Sequence, residues 1–419
     1  MNKLLIMGGN AETVPLVLKA KELGYHVILS DDNPNSVSKQ YADEAYNING
    51  LDVEGIVSLS KEKNVNGILV GVADILVDAY GNVCEKLGFP CYTNSNISKI
   101  FSRKDLFKEK LKEFGLNGVP ELFIDANNSF SDEELFQIGF PLMVKPVDNG
   151  GGVGMSAVQT KEELNRAIKF GLSNSRNKKV IIEKYMDCDD VGIYFTFQDG
   201  FYSTSFVYDR YTTKEQFGKS KVCLGGVYPS RFINNYFNSE DAKLKLLFRD
   251  LGIENGVLML SAFFENNRFY YYDVGFRLQG EAPNILLHNI YGYDQKEMLI
   301  KFAMTGSMGD TKVYELDDPY LIGKHAATVW ILLKKGVISK IDGLEDVLSK
   351  EFVVSNVQRL FIGDFVNEKM VGTEKQVFSR FYLVTNTQDE LKSAIKHVQN
   401  SIKIYDENNN QMVLKGFTF

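Results

Sequence analysis

The first part of the chain alternates between short apolar runs and longer segments with helical spacing. Mostly apolar runs at residues 3–7, 26–30 and 67–71 are typical of buried strands. Apolar residues recur every three or four positions over 12–23, 52–63 and 74–87, which predicts amphipathic helices. This alternation predicts an α/β fold with a small doubly wound parallel sheet in a first domain over residues 1–95.

The pattern changes near residue 95. A strongly helical segment at 102–114 ends at Gly115, and short strand-like runs rich in Tyr and Phe then dominate to residue 280. These runs predict an α+β domain with antiparallel sheets over 96–312 and a lid subdomain at about 115–190.

A smaller α+β domain is predicted over residues 313–419. Its predicted elements are a helix at 323–334, strands at 353–354 and 381–384, a helix at 387–398 and a strand at 402–405.

The charge balance argues against a nucleic-acid partner. Among 419 residues, 47 Lys+Arg stand against 54 Asp+Glu, giving a net charge of -7. No apolar stretch approaches the length that spans a bilayer, and residues 3–7 fit a buried strand better than a signal sequence. The four cysteines follow no metal-ligand spacing, which favours reduced thiols. We therefore expect a cytoplasmic protein without a membrane partner.

Gly8 and Gly9 follow the first predicted strand, where a dinucleotide fingerprint would begin. The third glycine of that fingerprint is missing, and Asp31 after the second strand does not replace it. A plain turn between strand and helix is the favoured interpretation, and a dehydrogenase is the disfavoured alternative.

The strongest candidate for chemistry is a lysine followed by a run of glycines. A predicted strand at 141–144 leads into Lys145, and residues 149–154 read Asn-Gly-Gly-Gly-Val-Gly. The lysine offers a point charge to a phosphate, and consecutive glycines let main-chain N–H groups approach phosphate oxygens. The run is not a P-loop, because no Gly-Lys-Ser/Thr follows. On its own, an ordinary loop or hairpin turn explains the glycines equally well.

Charged residues on either side of this loop support a phosphate site. Lys104 begins the helix at 102–114, although a solvated face is the alternative for a helix that also contains Lys108. Glu183, in a predicted buried strand, is a candidate acceptor for the amine of an adenine. Asp190 is a candidate for a ribose hydroxyl, with a turn residue as the alternative.

A tyrosine-rich segment at 269–281 adds an acid and an arginine. Asp273 offers the hard oxygen ligands that Mg²⁺ prefers. Arg277 lies an even number of residues further on, which predicts the same face of an extended strand and a contact with a carboxylate or acyl phosphate.

Together these segments resemble the ATP-grasp superfamily in order and spacing, over essentially the whole chain. The resemblance implies a Rossmann-like domain at 1–95, an ATP-grasp domain with a glycine flap at 96–312, and a C-terminal domain similar to that of biotin carboxylase-like and amino-acid-ligase members. It implies ATP and Mg²⁺ as cofactors. The implied site residues are Lys104 and Lys145 for phosphates, Gly151, Gly152 and Gly154 for the flap, Glu183, Lys184 and Met186 for the adenine hinge, Asp190 for the ribose, Asp273 for the metal and Arg277 for the acyl phosphate.

Two positions depart from the family's pattern. Members usually have two metal carboxylates, and here the first of these falls on Ser261; the usual asparagine after the second is Gly275. Either Mg²⁺ binds with more water, or Glu281 moves in, or catalysis is impaired.

Substrate-side candidates lie nearby. Gln279 and Glu281 resemble a run in biotin carboxylases, with a polar loop as the alternative, and Arg231 is a third candidate. Further candidates for an acceptor pocket are Arg210, Tyr208, Tyr211, Phe217 and Tyr228, for which strand packing is the alternative.

The resemblance implies an ADP-forming carboxylate–amine ligase that acts through an acyl phosphate. Small-molecule carboxylate and amine substrates follow from it, with Lys145 and Arg277 as catalytic residues. Dimers are common in the resembling family, so a homodimer is compatible with it. The alternative, motivated by Ser261 and Gly275, is an ATP-binding, catalytically weak relative with a sensing or scaffolding role.

Overall fold

The N-terminal region folds as a parallel sheet flanked by helices. The computed structural model describes residues 1–124, 131–148, 154–213 and 221–419. The elements of this region are β1 (Lys3–Met7), α1 (Val14–Glu22), β2 (His26–Ser30), β3 (Glu44–Tyr46), α2 (Val53–Lys63), β4 (Gly67–Val70) and α3 (Val77–Leu87). The strand order is β3-β2-β1-β4 with parallel pairing throughout, which confirms the predicted parallel sheet.

Burial explains why these apolar runs form strands. All of β4 is buried, and in β1 and β2 only the first residue is partly exposed, as expected of strands covered on both faces. At the carboxyl edge of the sheet, the N–H of Gly9 donates to Oδ2 of Asp31 at 2.7 Å. Gly9 and Asp31 thus hold each other at the turn that follows β1.

The next region forms a small antiparallel sheet, which we call the lid sheet. Its elements and the two helices before it are α4 (Ser95–Ser102), α5 (Lys104–Glu113), β5 (Glu121–Ile124), α6 (Asp132–Ile138), β6 (Leu142–Pro146), β7 (Ser156–Val158), α7 (Lys161–Asn174) and β8 (Val180–Lys184). The strand order is β5-β8-β6-β7. Leu142, Val144 and Leu164 belong to an apolar core between this sheet and α7.

Buried charges attach α5 to the lid sheet. Lys108 of α5 has a side chain only 2% exposed, and its Nζ lies 2.6 Å from Oε1 of Glu183 on β8. Lys145 on β6 lies 2.5 Å from the other carboxylate oxygen, Oε2. Lys108 also donates to Glu121 on β5. We call Lys108, Glu121, Lys145 and Glu183 the lid charge cluster.

A large, predominantly antiparallel sheet follows. Its first strands and their connecting helices are β9 (Asp189–Gln198), β10 (Phe201–Thr212), β11 (Cys223–Tyr228), α8 (Ile233–Ser239), α9 (Asp241–Asp250), β12 (Gly256–Glu265), β13 (Arg268–Gly275), α10 (Asn284–Tyr291), α11 (Gln295–Thr305) and α12 (Val313–Leu316). We call this the central sheet.

The C-terminal region extends the central sheet. Its elements are β14 (His325–Leu332), β15 (Gly336–Val337), β16 (Lys340–Asp342), α13 (Leu344–Leu348), β17 (Val353–Gln358), β18 (Phe365–Val366), β19 (Val377–Thr385), α14 (Gln388–Ser401) and β20 (Lys403–Tyr405). The central sheet has the order β13-β12-β9-β10-β11-β14-β19-β17 and therefore continues past residue 313. The division of the chain into three domains stays a prediction.

The prediction of a helix at 323–334 is wrong. Residues His325–Leu332 form β14, which pairs with β11 on one side and β19 on the other. All of β14 after His325 is buried. An almost wholly apolar run fits a fully buried strand as well as a buried helix, and its periodicity does not distinguish them.

Three tyrosines stack across the central sheet. The ring centroid of Tyr208 lies 5.4 Å from that of Tyr194 and 4.6 Å from that of Tyr228. The Tyr208 ring occupies space above two glycines: a Cβ at Gly192 would overlap its Cε1, and one at Gly226 would lie 2.6 Å from its Cδ2. Glycine at both positions therefore leaves room for the ring.

We expect Gly192→Ala to displace the Tyr208 ring. Overpacking a buried site costs about 1–3 kcal/mol, so the free energy of unfolding measured by urea denaturation should fall by about that amount. The control is Gly81→Ala in α3, where a Cβ would lie 3.4 Å from its nearest neighbour, Thr93 Cγ2, and where alanine favours the helix. An equal loss of unfolding free energy in the two variants would contradict the inference that Gly192 leaves room for the Tyr208 ring.

Glu183→Gln is expected to destabilise the protein in a pH-dependent way. Burial acts to raise the pKa of Glu183, but Lys108 and Lys145 outweigh it and lower the pKa from 4.5 to about 2. A depressed pKa means that the ionised group contributes stability above about pH 4.5, which is lost as the pH falls towards 2. At pH 7 the variant should lose about 3 kcal/mol of unfolding free energy, because the buried ammonium groups of Lys108 and Lys145 then lose the carboxylate that they share.

Urea denaturation at several pH values measures this difference, which should shrink between pH 4.5 and 2. The matched control is Glu113→Gln, whose carboxylate is 59% exposed and pairs with Lys110 at 2.7 Å. A surface pair of this kind contributes about 0.5 kcal/mol or less. A pH-independent loss in the Glu183 variant would show that its charge is not responsible.

Candidate functional site

Lys145 lies where the lid sheet meets the central sheet. Its ammonium is 2.5 Å from Glu183 Oε2 and 5.5 Å from the centre of the Tyr272 ring, which belongs to β13. The residue is 7% exposed. The lysine at the end of its strand therefore faces a cleft between two sheets, as a phosphate-binding residue would.

Asp273 lies on the other side of this cleft, beside a β-bulge. Asp273 pairs with Ser261 and Tyr271 with Ala262, so Tyr272 is an extra residue on β13. A bulge re-aims side chains that would otherwise alternate between faces. Asp273 is exposed to solvent in the cleft, yet surrounding protein atoms raise the pKa of its carboxyl.

Two lysines act on Asp273. The surrounding protein atoms and the charge of Asp74 raise the pKa of Asp273, whereas the positive charges of Lys104 and Lys145 act to lower it and favour the ionised form. Lys104 is the first residue of α5 and is partly exposed. The charges of two predicted phosphate lysines, one on α5 and one on β6, thus act on the predicted metal carboxylate of β13.

The carboxylate of Glu183 faces the lysines of the lid charge cluster. Both of its oxygens accept hydrogen bonds from ammonium groups, and the residue is 1% exposed. Next to it, the N–H of Lys184 donates to Pro120 O at 2.9 Å, and Met186 O accepts from Lys221 Nζ at 3.2 Å. The adenine contacts predicted for this segment stay predictions.

The glycine flap is described only in part. Gly151 and Gly152 lie outside the described residues. Gly154 has a φ of +78°, and a Cβ there would lie 2.7 Å from both Asn174 Cβ and Pro146 Cγ. Glycine is therefore needed at this end of the loop for both conformation and space.

Asp190 belongs to a buried polar network on β9 and its neighbours. Asp190 lies directly opposite Arg210 of the neighbouring strand β10, and its two oxygens accept from the Tyr272 hydroxyl at 3.0 and 3.1 Å. Burial raises the pKa of Asp190, and Arg210 and Tyr272 act against this rise. Arg210 NH2 also donates to Glu281 Oε1 at 2.9 Å, and Tyr208 OH donates to Oε2 at 2.8 Å. Asp190 is thus a strand residue, and Glu281 is held in place by Arg210, Tyr208 and the more distant Tyr194 hydroxyl at 3.4 Å.

The strand prediction for Arg277 is wrong, because β13 ends at Gly275. Arg277 lies in the following loop and donates to Asp74, to Leu278 O at 2.8 Å and to Gln279 Oε1 at 2.8 Å. Burial acts to lower the pKa of Arg277, and the charge of Asp74 more than offsets this. Asp74 begins a 3₁₀ turn after β4, so this ion pair joins the N-terminal region to the cleft.

Two of the predicted substrate residues have other contacts. Gln279 Nε2 donates to Gly275 O at 2.9 Å and Arg277 O at 2.8 Å, so its amide braces the loop that holds Arg277. Arg231 pairs with Asp189 at 2.5 Å and Asp209 at 3.2 Å, residues that neighbour Asp190 and Arg210 in sequence and therefore point to the opposite face of the central sheet. The structure does not bring Arg231 together with Asp273.

The predicted acceptor aromatics are mainly packed. Tyr208 and Tyr228 are each 1% exposed within the tyrosine stack, and Tyr211 stacks on Phe417 at 4.4 Å. Phe217 lies outside the described residues.

Sequence reasoning missed Asp74, Lys108, Glu121 and Tyr272. A signal existed for Lys108, since it lies beside Phe107 and one turn before Leu111, both buried on the apolar face of α5. The solvated-face interpretation is wrong for this lysine.

A family model, sequence relatives and solved structures match this chain. The family model described as D-ala D-ala ligase C-terminus matches residues 111–216. The formate-dependent phosphoribosylglycinamide formyltransferase of Prochlorococcus marinus is 29% identical over 194 residues, which are 45% of this chain and 48% of that protein. The chain thus spans about half the length of the curated relatives it matches.

Solved structures match over nearly the whole chain. The L-amino acid ligase of Bacillus licheniformis is similar with a TM-score of 0.78 and 15% identity, covering 97% of this chain and 99% of that one. The biotin carboxylase domain of Hydrogenobacter thermophilus 2-oxoglutarate carboxylase, solved as a dimer with MgADP and bicarbonate, has a TM-score of 0.74 and 17% identity, covering 98% and 91%. At these identities the likeness concerns the fold. The match of the family model across the lid sheet, the sequence relatives and the likeness of fold together support the resemblance to the ATP-grasp superfamily.

Proposed function

We propose that the protein is an ATP-dependent, ADP-forming carboxylate–amine ligase that acts through an acyl phosphate. The observation that carries this proposal is the position of Lys145 over the ring of Tyr272, the residue before Asp273, together with the effect of the Lys104 and Lys145 charges on the Asp273 carboxyl. Two cations and a carboxylate facing one another suit a polyphosphate with its metal ion.

The residues on the lid side fit ATP. Lys104 and Lys145 offer ammonium groups to phosphate oxygens, and the flap that includes Gly151, Gly152 and Gly154 would cover them. The hinge after β8, with Lys184 and Met186, would meet the adenine through its main chain, and Asp190 the ribose. The MgADP complex of the structurally similar biotin carboxylase domain supports this arrangement.

The residues on the central-sheet side fit Mg²⁺ with a reduced set of protein ligands. In the part of the chain that the structure describes, no group of three or more His, Cys, Asp or Glu residues is arranged to hold a metal ion. Mg²⁺ commonly takes only one or two carboxylates and completes its shell with phosphate oxygens and water. Asp273 supplies such a carboxylate, whereas Glu281 is held by Arg210 and Tyr208.

Bound ATP and Mg²⁺ would supply the phosphoryl group and the neutralisation of its charge. The chain's own residues would do the rest by positioning and electrostatics. Lys145, held by Glu183, would keep the phosphates in line, and Arg277 would orient the substrate carboxylate. Asp74 occupies Arg277 in this structure, so a substrate carboxylate would compete with Asp74 for the guanidinium.

The substrates proposed are a small carboxylic acid and a small amine. The names of the L-amino acid ligase and of the phosphoribosylglycinamide formyltransferase support small-molecule substrates. Gln279 and Glu281 stay substrate-side candidates, and Arg231 is the weakest because of its position. A cytoplasmic location and a homodimer are part of the same proposal. No helix in the described ranges is long and apolar enough to cross a membrane.

Ser261 motivates a second candidate function. It is 1% exposed and pairs with Asp273 at the position where a second metal carboxylate is expected. A relative that binds ATP and reacts slowly, with a sensing or scaffolding role, would tolerate this loss.

ADP release across a panel of amino acids and other carboxylates tests the proposal. Turnover with at least one acid is expected, and hydroxylamine in place of the amine should trap the acyl phosphate as a hydroxamate. Asp273→Asn should lower kcat by about 10²–10³-fold while the Kd for ATP changes less, because the carboxylate would act by holding the Mg²⁺ ion that neutralises charge developing during transfer.

The control variant is Asp250→Asn, a carboxylate that is 51% exposed and pairs with Lys110 on the surface. It should retain full activity. ATP binding without ADP release or hydroxamate for any acid would instead favour the second candidate.

A further inference from the structure

A second buried lysine shares the Glu183 carboxylate with Lys145, and the proposed reaction gives it no role. Lys108 is buried, with its Nζ 2.6 Å from Glu183 and in contact with Glu121. Resting on the proposed ATP site, we infer that Lys108 is a positioning residue that sets the charge seen by the phosphates. Lys108 does so by pairing with the carboxylates of Glu183 and Glu121, so that the positive charge of Lys145 stays available to the phosphates.

The contacts of Lys108 show that the protein holds its side chain in a defined position. Its stem packs on Gly118, where a Cβ would lie 3.1 Å from Lys108 Cγ and 3.2 Å from Cδ. Its Nζ reaches Val119 O at 3.5 Å in addition to the two carboxylates. Burial lowers the pKa of Lys108 below its ordinary value, and Glu183 opposes this fall without cancelling it. An ammonium group with two carboxylates and a carbonyl around it is well satisfied as a cation.

The net charge of the lid charge cluster explains why Lys108 is needed. Two lysines and two glutamates sum to zero, and Lys145 is the member that borders the cleft at Tyr272. Without Lys108, the cluster would carry one net negative charge. Glu183 would then rely on Lys145 alone, and incoming phosphates would meet an anionic wall in a site poorly screened by solvent.

The size of the effect follows from Coulomb's law. A unit charge taken at roughly 8 Å from a phosphate, with an effective dielectric constant of about 20, corresponds to about 30-fold in affinity. A group without phosphates would feel almost none of this difference. Comparing ATP with adenosine therefore separates an electrostatic role from a merely structural one.

The experiment measures Kd by calorimetry for ATP and for adenosine in the original protein and in four full-length variants. Lys108→Met should weaken ATP about 30-fold and adenosine less than about 3-fold. Lys108→Met combined with Glu121→Gln returns the cluster to zero net charge and should restore ATP binding to within about 3-fold of the original. Lys112→Met, on the exposed face of the same helix, should change neither.

The fourth variant, Glu121→Gln alone, keeps the test decisive if Lys108→Met does not fold. It makes the cluster positive and should tighten ATP by about tenfold without changing adenosine. Equal weakening of both ligands by Lys108→Met, no rescue in the double variant, or no tightening by Glu121→Gln would each overturn the inference.

The outcomes also separate this inference from the proposed function. If the original protein binds ATP but releases no ADP with any acid, the ligase proposal fails while the comparison of Kd values still decides the role of Lys108. If the original protein does not bind ATP, both fail.

Discussion

Glu183 lies between two ammonium groups, and the geometry of the candidate site depends on this arrangement. A buried charge is stable only when paired, so Glu183, Lys145 and Lys108 hold one another in position. Through Lys108 the carboxylate also fixes α5, and one turn earlier on the same face of that helix lies Lys104. The two lysines that face Asp273 are therefore placed by a single anion that does not itself line the cleft.

The opposite wall of the cleft is positioned differently, by irregularities of backbone and by contacts over long sequence distances. The bulge at Tyr272 turns Asp273 towards the lysines, and the end of β13 at Gly275 releases Arg277 into a loop. That loop is held to the N-terminal region by Asp74. A pair between Glu12 and Arg359, at 3.1 Å, also joins the N-terminal region to the C-terminal region. The parallel sheet thus contributes to the site through residues that follow its strands.

The sequence predicted the elements whose patterns are local. The alternation of the first domain and the strand leading into Lys145 follow from periodicity, whereas the grouping of Lys104, Lys145 and Asp273 in one site follows from the resemblance and stays a prediction. Prediction from the sequence failed where the deciding contact is distant along the chain or where the pattern of apolar residues is ambiguous. The almost wholly apolar run of β14 carries no period. The even spacing assumed for Arg277 does not apply because β13 ends at Gly275, and the partner of Arg277 lies 203 positions away in the chain. Lys108 was misassigned because its charge outweighed its position on an apolar helix face.

The continuity of the central sheet has a consequence for how the chain is divided. β11 pairs with β10 on one side and with β14 on the other, and β14 belongs to the C-terminal region. A fragment that stops before β14 would leave the main-chain N–H and C=O groups of β11 unpaired along one side. Such an open, apolar strand edge is a template for pairing with other chains, so a nucleotide-binding fragment cut at this point would tend to aggregate. The C-terminal region therefore closes the sheet on which Asp190 and Asp273 lie, whatever else it contributes.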